Sequence, residues 1–349
     1  MGLKVVWRQS GLAGKLSLEE SRGGSGVGGR VGETEVAQVG SLLRRLVPLA
    51  MLVAMIGIVG GVKPLFFSVY SLQTQLSAAA PLLLLALGEA GVILLGGIDL
   101  SNATVAALAT VLLAEWLGHG PGAGIVAAVV LMTTCMGAIN GVVAVWGQVP
   151  SFIVTLGAMG LWAGVALVAS NDSTISVNDP QAINWFGGMS AGVPNAFLVG
   201  LVAVAVAAFV LRKVPGARLG MYAIGAAESA ARMSGVRVGV VRVAAFAGAG
   251  LFAGLAAVVL AAQDLSGDPT AASSLLLPCI AAVVVGGNAI TGGVGGAWRV
   301  LVGALIITVL DNGIAIVGVN PLAEQIVYGG VLLVAAGVTV DRSRVRFVK

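Results

Sequence analysis

Between Pro64 and Leu211 the chain contains no lysine or arginine, yet it carries Glu89 and Asp99 among long apolar runs. A water-soluble fold covers itself with charges of both signs, so a stretch this long without a cation calls for a different solvent. Hydrocarbon fits. Over the whole chain 58% of residues are hydrophobic, 10% are charged and the mean hydropathy is +1.02. Apolar stretches that reach the roughly 20 residues a bilayer-crossing helix needs recur from Leu46 to Val340. The expected fold class is therefore all-α: a polytopic membrane protein with about ten transmembrane helices, some of them broken by glycines.

The spans read from hydropathy are 46–67, 73–96, 101–118, 122–147, 152–169, 195–211, 240–262, 274–290, 297–317 and 323–340. Arg44 and Arg45, the cluster Arg212, Lys213, Arg218, Arg232, Arg237 and Arg242, and the tail "DRSRVRFVK" then all fall on one side, the cytoplasmic side by charge bias. Both termini are expected there. Residues 1–45, with "SRGGSGVGGR", read as a flexible cytoplasmic segment, 46–340 as the transmembrane domain, about 213–239 as a cytoplasmic loop within it, and 341–349 as a tail. Two longer polar stretches, "SNDSTISVNDPQAINWFGGMSAGVPN" and "DLSGDPTAAS", lie opposite and lack lysine and arginine. Trp185 and Phe186 in the first serve either as interfacial anchors or as part of a docking surface.

The net charge of +4 does not point to nucleic acid, because the basic residues sit outside the spans and no array of stacking aromatics accompanies them. Cys135 and Cys279 both lie in apolar surroundings and read as buried free thiols. His119 is the only histidine and sits in the turn-forming "GHGPG", so no metal site is expected. The chain has no G-x-x-x-x-G-K-[ST] loop and no hydrolytic motif. ATP-driven work would need another subunit.

Glycine is the commonest signal of broken helices here. "GGNAITGGVGG" at 286–296 is too rich in glycine for an undisturbed helix and reads as a break or re-entrant turn, whose free backbone has to be shielded by protein or face water. In "LLGGIDLSNA" at 94–103, Gly96 and Gly97 end one helix while Asp99 or Ser101 caps the next, so Asp99 is held by backbone N–H groups rather than by a lysine. That turn lies either at the cytoplasmic interface or partway through the membrane beside a solute path. Glu89, Asp99, Ser101, Asn140, Ser151, Thr155, Asn288, Thr291, Asp311 and Asn312 are the polar residues in or beside the spans that suit a polyhydroxylated solute; an interhelical hydrogen bond is the competing role for each hydroxyl or amide. A faint echo between the segments that start at Ile139 and Asp311 adds to a transporter reading.

"GGIDLS" at Gly96–Ser101, "VPSFIVTLG" at Val149–Gly157, "IGAAESAARMSG" at Ile224–Gly235 and "IAAVVVGGNAITGGVGG" at Ile280–Gly296 resemble, in the same order, motifs of the permease of bacterial ATP-binding-cassette sugar importers, the ribose, xylose and arabinose transporter family. The resemblance covers about Leu46 to Val340 and implies a bacterial inner-membrane protein that moves a monosaccharide, such as a pentose, into the cytoplasm by alternating access. Its implied partners are a second permease chain, two nucleotide-binding ATPase subunits and an extracytoplasmic solute-binding protein; ATP and Mg belong to the ATPases, and this chain holds no cofactor. The polar stretches at Asn171–Asn195 and Asp264–Ser273 are the expected platform for the binding protein. Gly225, Glu228, Ala230, Ala231, Arg232, Ser234 and Gly235 match the ATPase-coupling segment, with Ala227 standing where the family often has Asn. Read from the residues, Glu228 and Arg232 form an i,i+4 pair, Gly235 ends the helix, and Ala231 is small enough for a tight partner contact. Glu89 and the Asp311–Asn312 pair depart from the family pattern and leave room for a nucleoside-like solute, while an ion-coupled carrier using Glu89, Asp99 and Asp311 is the rival mechanism.

Overall fold

The computed structural model describes residues 46–317 and 324–339; the expectations for 1–45, for the tail at 341–349 and for the link between the last two spans lie outside the described residues. The described chain is mostly helical, with four two-residue strands and irregular turns between the helices. In chain order the helices are α1 (Leu46–Val62), α2 (Val69–Leu94), α3 (Asn102–Trp116), α4 (Gly122–Trp146), α5 (Ser151–Ser170), the short α6 (Asn184–Gly187), α7 (Asn195–Lys213), α8 (Pro215–Ala226), α9 (Glu228–Met233), α10 (Val238–Asp264), α11 (Leu276–Val285), α12 (Ala297–Val317) and α13 (Glu324–Thr339).

Six of these are long and apolar enough to cross a membrane: α2, α4, α5, α7, α10 and residues 297–315 of α12. Three further apolar helices, Leu46–Val62, Asn102–Trp116 and Ser273–Val285, are shorter, so the ten spans expected from hydropathy do not appear as ten full-length helices. The breaks are the cause. α3 is 15 residues long because the turn at 95–101 delays its start, and α11 is only 10 residues long because the glycine-rich stretch takes over after Val285 rather than at 290.

The helices are apolar nearly all round, so polarity does little to choose which face is buried; small residues do that instead. α10 lies at the centre and packs on α4, α2 and α3. At the α4–α10 crossing, a Cβ on Gly137 would overlap the carbonyl of Phe246, and one on Gly250 would overlap the carbonyl of Thr133. The two backbones therefore touch without side chains between them. α2 runs through the core with every residue from Ala79 to Glu89 buried, whereas α5 is largely bare along its length. Cys279 is buried as expected, but Cys135 is exposed, because it falls on the outward side of α4, away from α10.

The two polar stretches meet as an antiparallel clasp: β1 (Ile175–Ser176) pairs with β4 (Ser266–Gly267), Ile175 opposite Gly267 and Ser176 opposite Ser266. β2 (Met189–Ser190) and β3 (Val193–Pro194) form a small hairpin on the longer stretch. Their common side, inferred from charge bias, is matched by direct contact.

Candidate solute path and coupling segment

The first helix break is built from side chains supplied by three helices. α2 stops where Gly96 takes φ +75°, a conformation glycine adopts without Cβ strain. The backbone beyond it has no helical partner and must be satisfied otherwise. Ile98 N–H donates to Ser151 Oγ at 3.3 Å, Thr155 Oγ1 donates to Ile98 O at 3.2 Å, and Asp99 N–H donates to Glu89 Oε1 at 3.2 Å. Asp99 Oδ1 then accepts both the N–H (3.0 Å) and the hydroxyl (2.6 Å) of Ser101, and Asn140 Nδ2 donates to Ser101 Oγ at 2.8 Å. Asn102 adds a bond from Nδ2 to Leu85 O at 2.9 Å.

Five residues proposed from sequence, Glu89, Asp99, Ser101, Asn140 and Thr155, are thus one buried cluster joining α2, the break, α4 and α5. Asp99 does cap the approach to α3 through backbone donors, as expected, while the Ser101 hydroxyl is used to relay Asn140 to Asp99 rather than as a cap. Asn102 was not singled out from sequence; an amide opening an apolar helix directly after Ser101 was the available signal.

The second break follows α11 and has the irregular geometry its glycines suggested, with φ +93° at Gly287, +85° at Gly292 and +74° at Gly293. Asn288 is 3% exposed and spends both ends of its amide inside the loop, accepting from Gly296 N–H at 2.7 Å and donating to Val283 O at 2.8 Å. It is a loop clamp. Thr291 is exposed on the same loop. Asp311 accepts the Tyr328 hydroxyl at 2.6 Å, and Asn312 donates to Thr308 O at 2.9 Å. The tyrosine partner lies 17 positions downstream on another helix, a relation no local pattern announces.

The two breaks touch. Gly293 N–H donates to Leu94 O at 2.9 Å, and α8 seats on the joint, where Tyr222 donates to Gly295 O at 3.1 Å. A Cβ on Gly225 would collide with Leu94 O and with the backbone of Gly293. Gly225 is therefore held against both discontinuities at once.

After α8 the chain turns at Ala227 into α9. Glu228 pairs with Arg232 at 3.0 Å, as its spacing indicated, and also with Arg242 of α10 at 2.6 Å, which sequence did not indicate. Both pairs are partly exposed, so they orient α9 more than they stabilise it. Gly235 ends the segment with φ +83° and donates to Arg232 O at 3.1 Å. Ala230, Arg232, Met233 and Ser234 are exposed, Met233 at 84%. Ala231 is not: it is 3% exposed and packs with Leu95, Ile224, Val238 and Ala245. A direct partner contact through Ala231 is thereby replaced by an internal contact with the end of α2, and the outward face of α9 is Ala230–Met233–Ser234.

On the clasp, Asp268 Oδ1 accepts the N–H (2.6 Å) and hydroxyl (2.7 Å) of Thr270, and Oδ2 accepts Thr174 Oγ1 at 3.0 Å. These donors hold its carboxyl below the usual aspartate range, the Thr270 hydroxyl and N–H contributing most. A groove of about 870 Å3 runs along α2, α7, α8 and α10, but its walls are almost wholly apolar apart from Arg237. It lacks the convergent polar groups a sugar would need, and the buried polar cluster lies elsewhere.

Residues 71–336 match the family model described as "Branched-chain amino acid transport system / permease component". The chain belongs to this permease family. Among its relatives, the ribose import permease protein RbsC of Escherichia coli (strain K12) is 36% identical over 304 residues, 85% of this chain and 93% of that protein. The RbsC protein of Bacillus subtilis (strain 168) is 34% identical over 308 residues, covering 87% and 94% of the two chains. The D-allose transport system permease protein AlsC of Escherichia coli (strain K12) is 30% identical over 297 residues, covering 84% and 90%. No solved structure matches this permease. The family membership and the apolar helices make it a membrane-embedded transport component.

Proposed function

We propose that this permease is the translocation subunit of an ATP-binding-cassette importer that carries a monosaccharide, a pentose such as ribose, across the bacterial inner membrane by alternating access. The observation that carries the reading is the seating of Gly225 on the joint between Leu94 and Gly293, because it puts α8 and α9 in mechanical contact with both helix breaks. A displacement of α8–α9 by an ATPase would move the ends of α2 and α11 together, which is the kind of two-arrangement element that couples distant sites. Sugar-import relatives over most of the chain support the substrate class.

In this reading the shorter helices α1, α3 and α11, with α13, complete the ten spans, both termini are cytoplasmic, and the β1–β4 clasp faces the extracytoplasmic side as the docking platform for a solute-binding protein. Two such chains pair, two ATPase subunits grip the exposed face of α9, and ATP and Mg stay on those subunits. The experiment is sugar-stimulated ATP turnover by the assembled transporter, with pentoses, hexoses and nucleosides compared in the presence of the binding protein. Stimulation by a pentose supports the assignment; stimulation by nucleosides alone replaces the cargo.

A further inference from the structure

The polar cluster around the first break contains two buried carboxyl groups and, among the described residues, no basic side chain paired with either. Glu89 is 0% exposed and Asp99 2% exposed, and they are joined directly by the Asp99 N–H to Glu89 Oε1 bond. Two full negative charges so placed would each forfeit hydration and repel one another, a heavy cost in a water-poor interior.

Their donors are unequal. Asp99 receives both the N–H and the hydroxyl of Ser101, whereas Glu89 receives one backbone N–H. Hydrogen bonds to the charged form decide which of two neighbouring carboxyls stays ionised. By that count Asp99 keeps the charge.

Two buried oxygens nearby have no hydrogen-bond partner: Glu89 Oε2 and Asn102 Oδ1. Glu89 lies on α2, and Asn102, the first residue of α3, reaches the same turn of α2 by donating from Nδ2 to Leu85 O, four residues before Glu89. Each is an acceptor facing no donor, a costly state for a buried polar atom. One proton resolves both. We propose that the break holds a permanently bound proton on Glu89 Oε2, donated in a hydrogen bond to Asn102 Oδ1, so that the Glu89–Asp99 pair carries a single negative charge located on Asp99. The other titratable group facing the pair is the thiol of Cys279 on α11, whose hydrogen is donated to Leu276 O at 3.1 Å and which brings no compensating charge. The inference concerns the protonation of this chain and does not depend on which solute is carried.

The test is infrared spectroscopy of the full-length permease reconstituted in lipid at neutral pH, with glutamate side chains carrying 13C at the carboxyl. Unlabelled minus labelled wild-type protein should show a protonated-carboxyl band that shifts with the isotope. Glu89→Gln, a neutral side chain that can place an N–H where the proton was, should remove that band while keeping the wild-type melting temperature. Asn102→Leu should move the band to higher frequency, as expected for a carboxyl that has lost its acceptor. A Glu89-dependent signal found only among the ionised-carboxylate bands would overturn the proposal; where Glu89→Gln fails to fold, the wild-type isotope measurement decides, and the absence of an isotope-sensitive protonated-carboxyl band there overturns it.

Discussion

Asn140 Nδ2 donates to Ser101 Oγ at 2.8 Å, and through that hydroxyl α4 is fastened to the carboxylate of Asp99 in a break formed by α2 and α3. The bond spans 39 residues of sequence and is buried at both ends. Removing either partner leaves the other without its bond inside the core. Asn140→Ala and Ser101→Ala should each destabilise the permease by about 1–3 kcal/mol, and the double variant by less than the sum. Thermal melts of the four proteins in one detergent check the coupling; strict additivity would mean the two side chains do not act together.

The glycine at the joint gives a second prediction. Gly225→Val forces a side chain into Leu94 O and the Gly293 backbone, so either α8 lifts from the breaks or the breaks move. Loss of transport with a lowered melting temperature is expected. Gly216→Ala, on the same helix but with no atom within 4 Å of the added methyl, should match wild type in both assays.

The orientation of α9 separates a buried position from an exposed one. Met233→Glu, at 84% exposure, should leave permease abundance unchanged while sharply reducing capture of the ATPase subunits. Ala231→Trp should instead lower abundance, because a ring cannot fit among Leu95, Ile224 and Val238. Membrane abundance and pull-down measured on the same samples distinguish these outcomes.

Acid sensitivity of the clasp follows from Asp268. Its carboxyl is held below the ordinary aspartate range, chiefly by the Thr270 hydroxyl and N–H, so the stabilisation it lends the β1–β4 pairing is fully present above that ordinary range and is lost as pH falls through the lowered folded value. Hydrogen exchange at Val177 N–H, which donates to Leu265 O at 2.9 Å, should stay slow through mild acid and quicken only at lower pH, after allowance for the intrinsic pH dependence of exchange. In Asp268→Asn that acid-dependent step should vanish, with weaker protection throughout.

Much of this organisation was legible in the sequence because its signals are local. Gly96 and Gly97, just before Asp99, announced a helix end, the Glu228–Arg232 spacing announced an ion pair, and the dense glycines at 286–296 announced a second break. Gathering Glu89, Asn140 and Thr155 around Asp99 was only partly legible: each was a costly polar residue in an apolar run, but nothing local said they shared a site. What stayed hidden depends on the packing of remote segments. Arg242 meets Glu228 from another helix, Tyr328 meets Asp311, and Ala231 turns inward because Leu95 and Val238 close over it, although its small size alone suited a contact with another chain. Asn288 was singled out as a residue near a solute path; that both ends of its amide are bonded, to Val283 O and Gly296 N–H, depends on how the loop folds back and was not legible from its spacing.

The central claim, that α8 and α9 transmit the work of a separate ATPase to a sugar path through this permease, is tested most directly by uptake of radiolabelled ribose into proteoliposomes. The vesicles contain the permease with its ATPase subunits, are supplied with the solute-binding protein outside and ATP with Mg inside, and are compared with and without ionophores that collapse ion gradients. The account predicts accumulation that requires ATP, survives the ionophores and disappears in Gly225→Val. Accumulation by the permease alone, driven by an ion gradient without the ATPase, would contradict it.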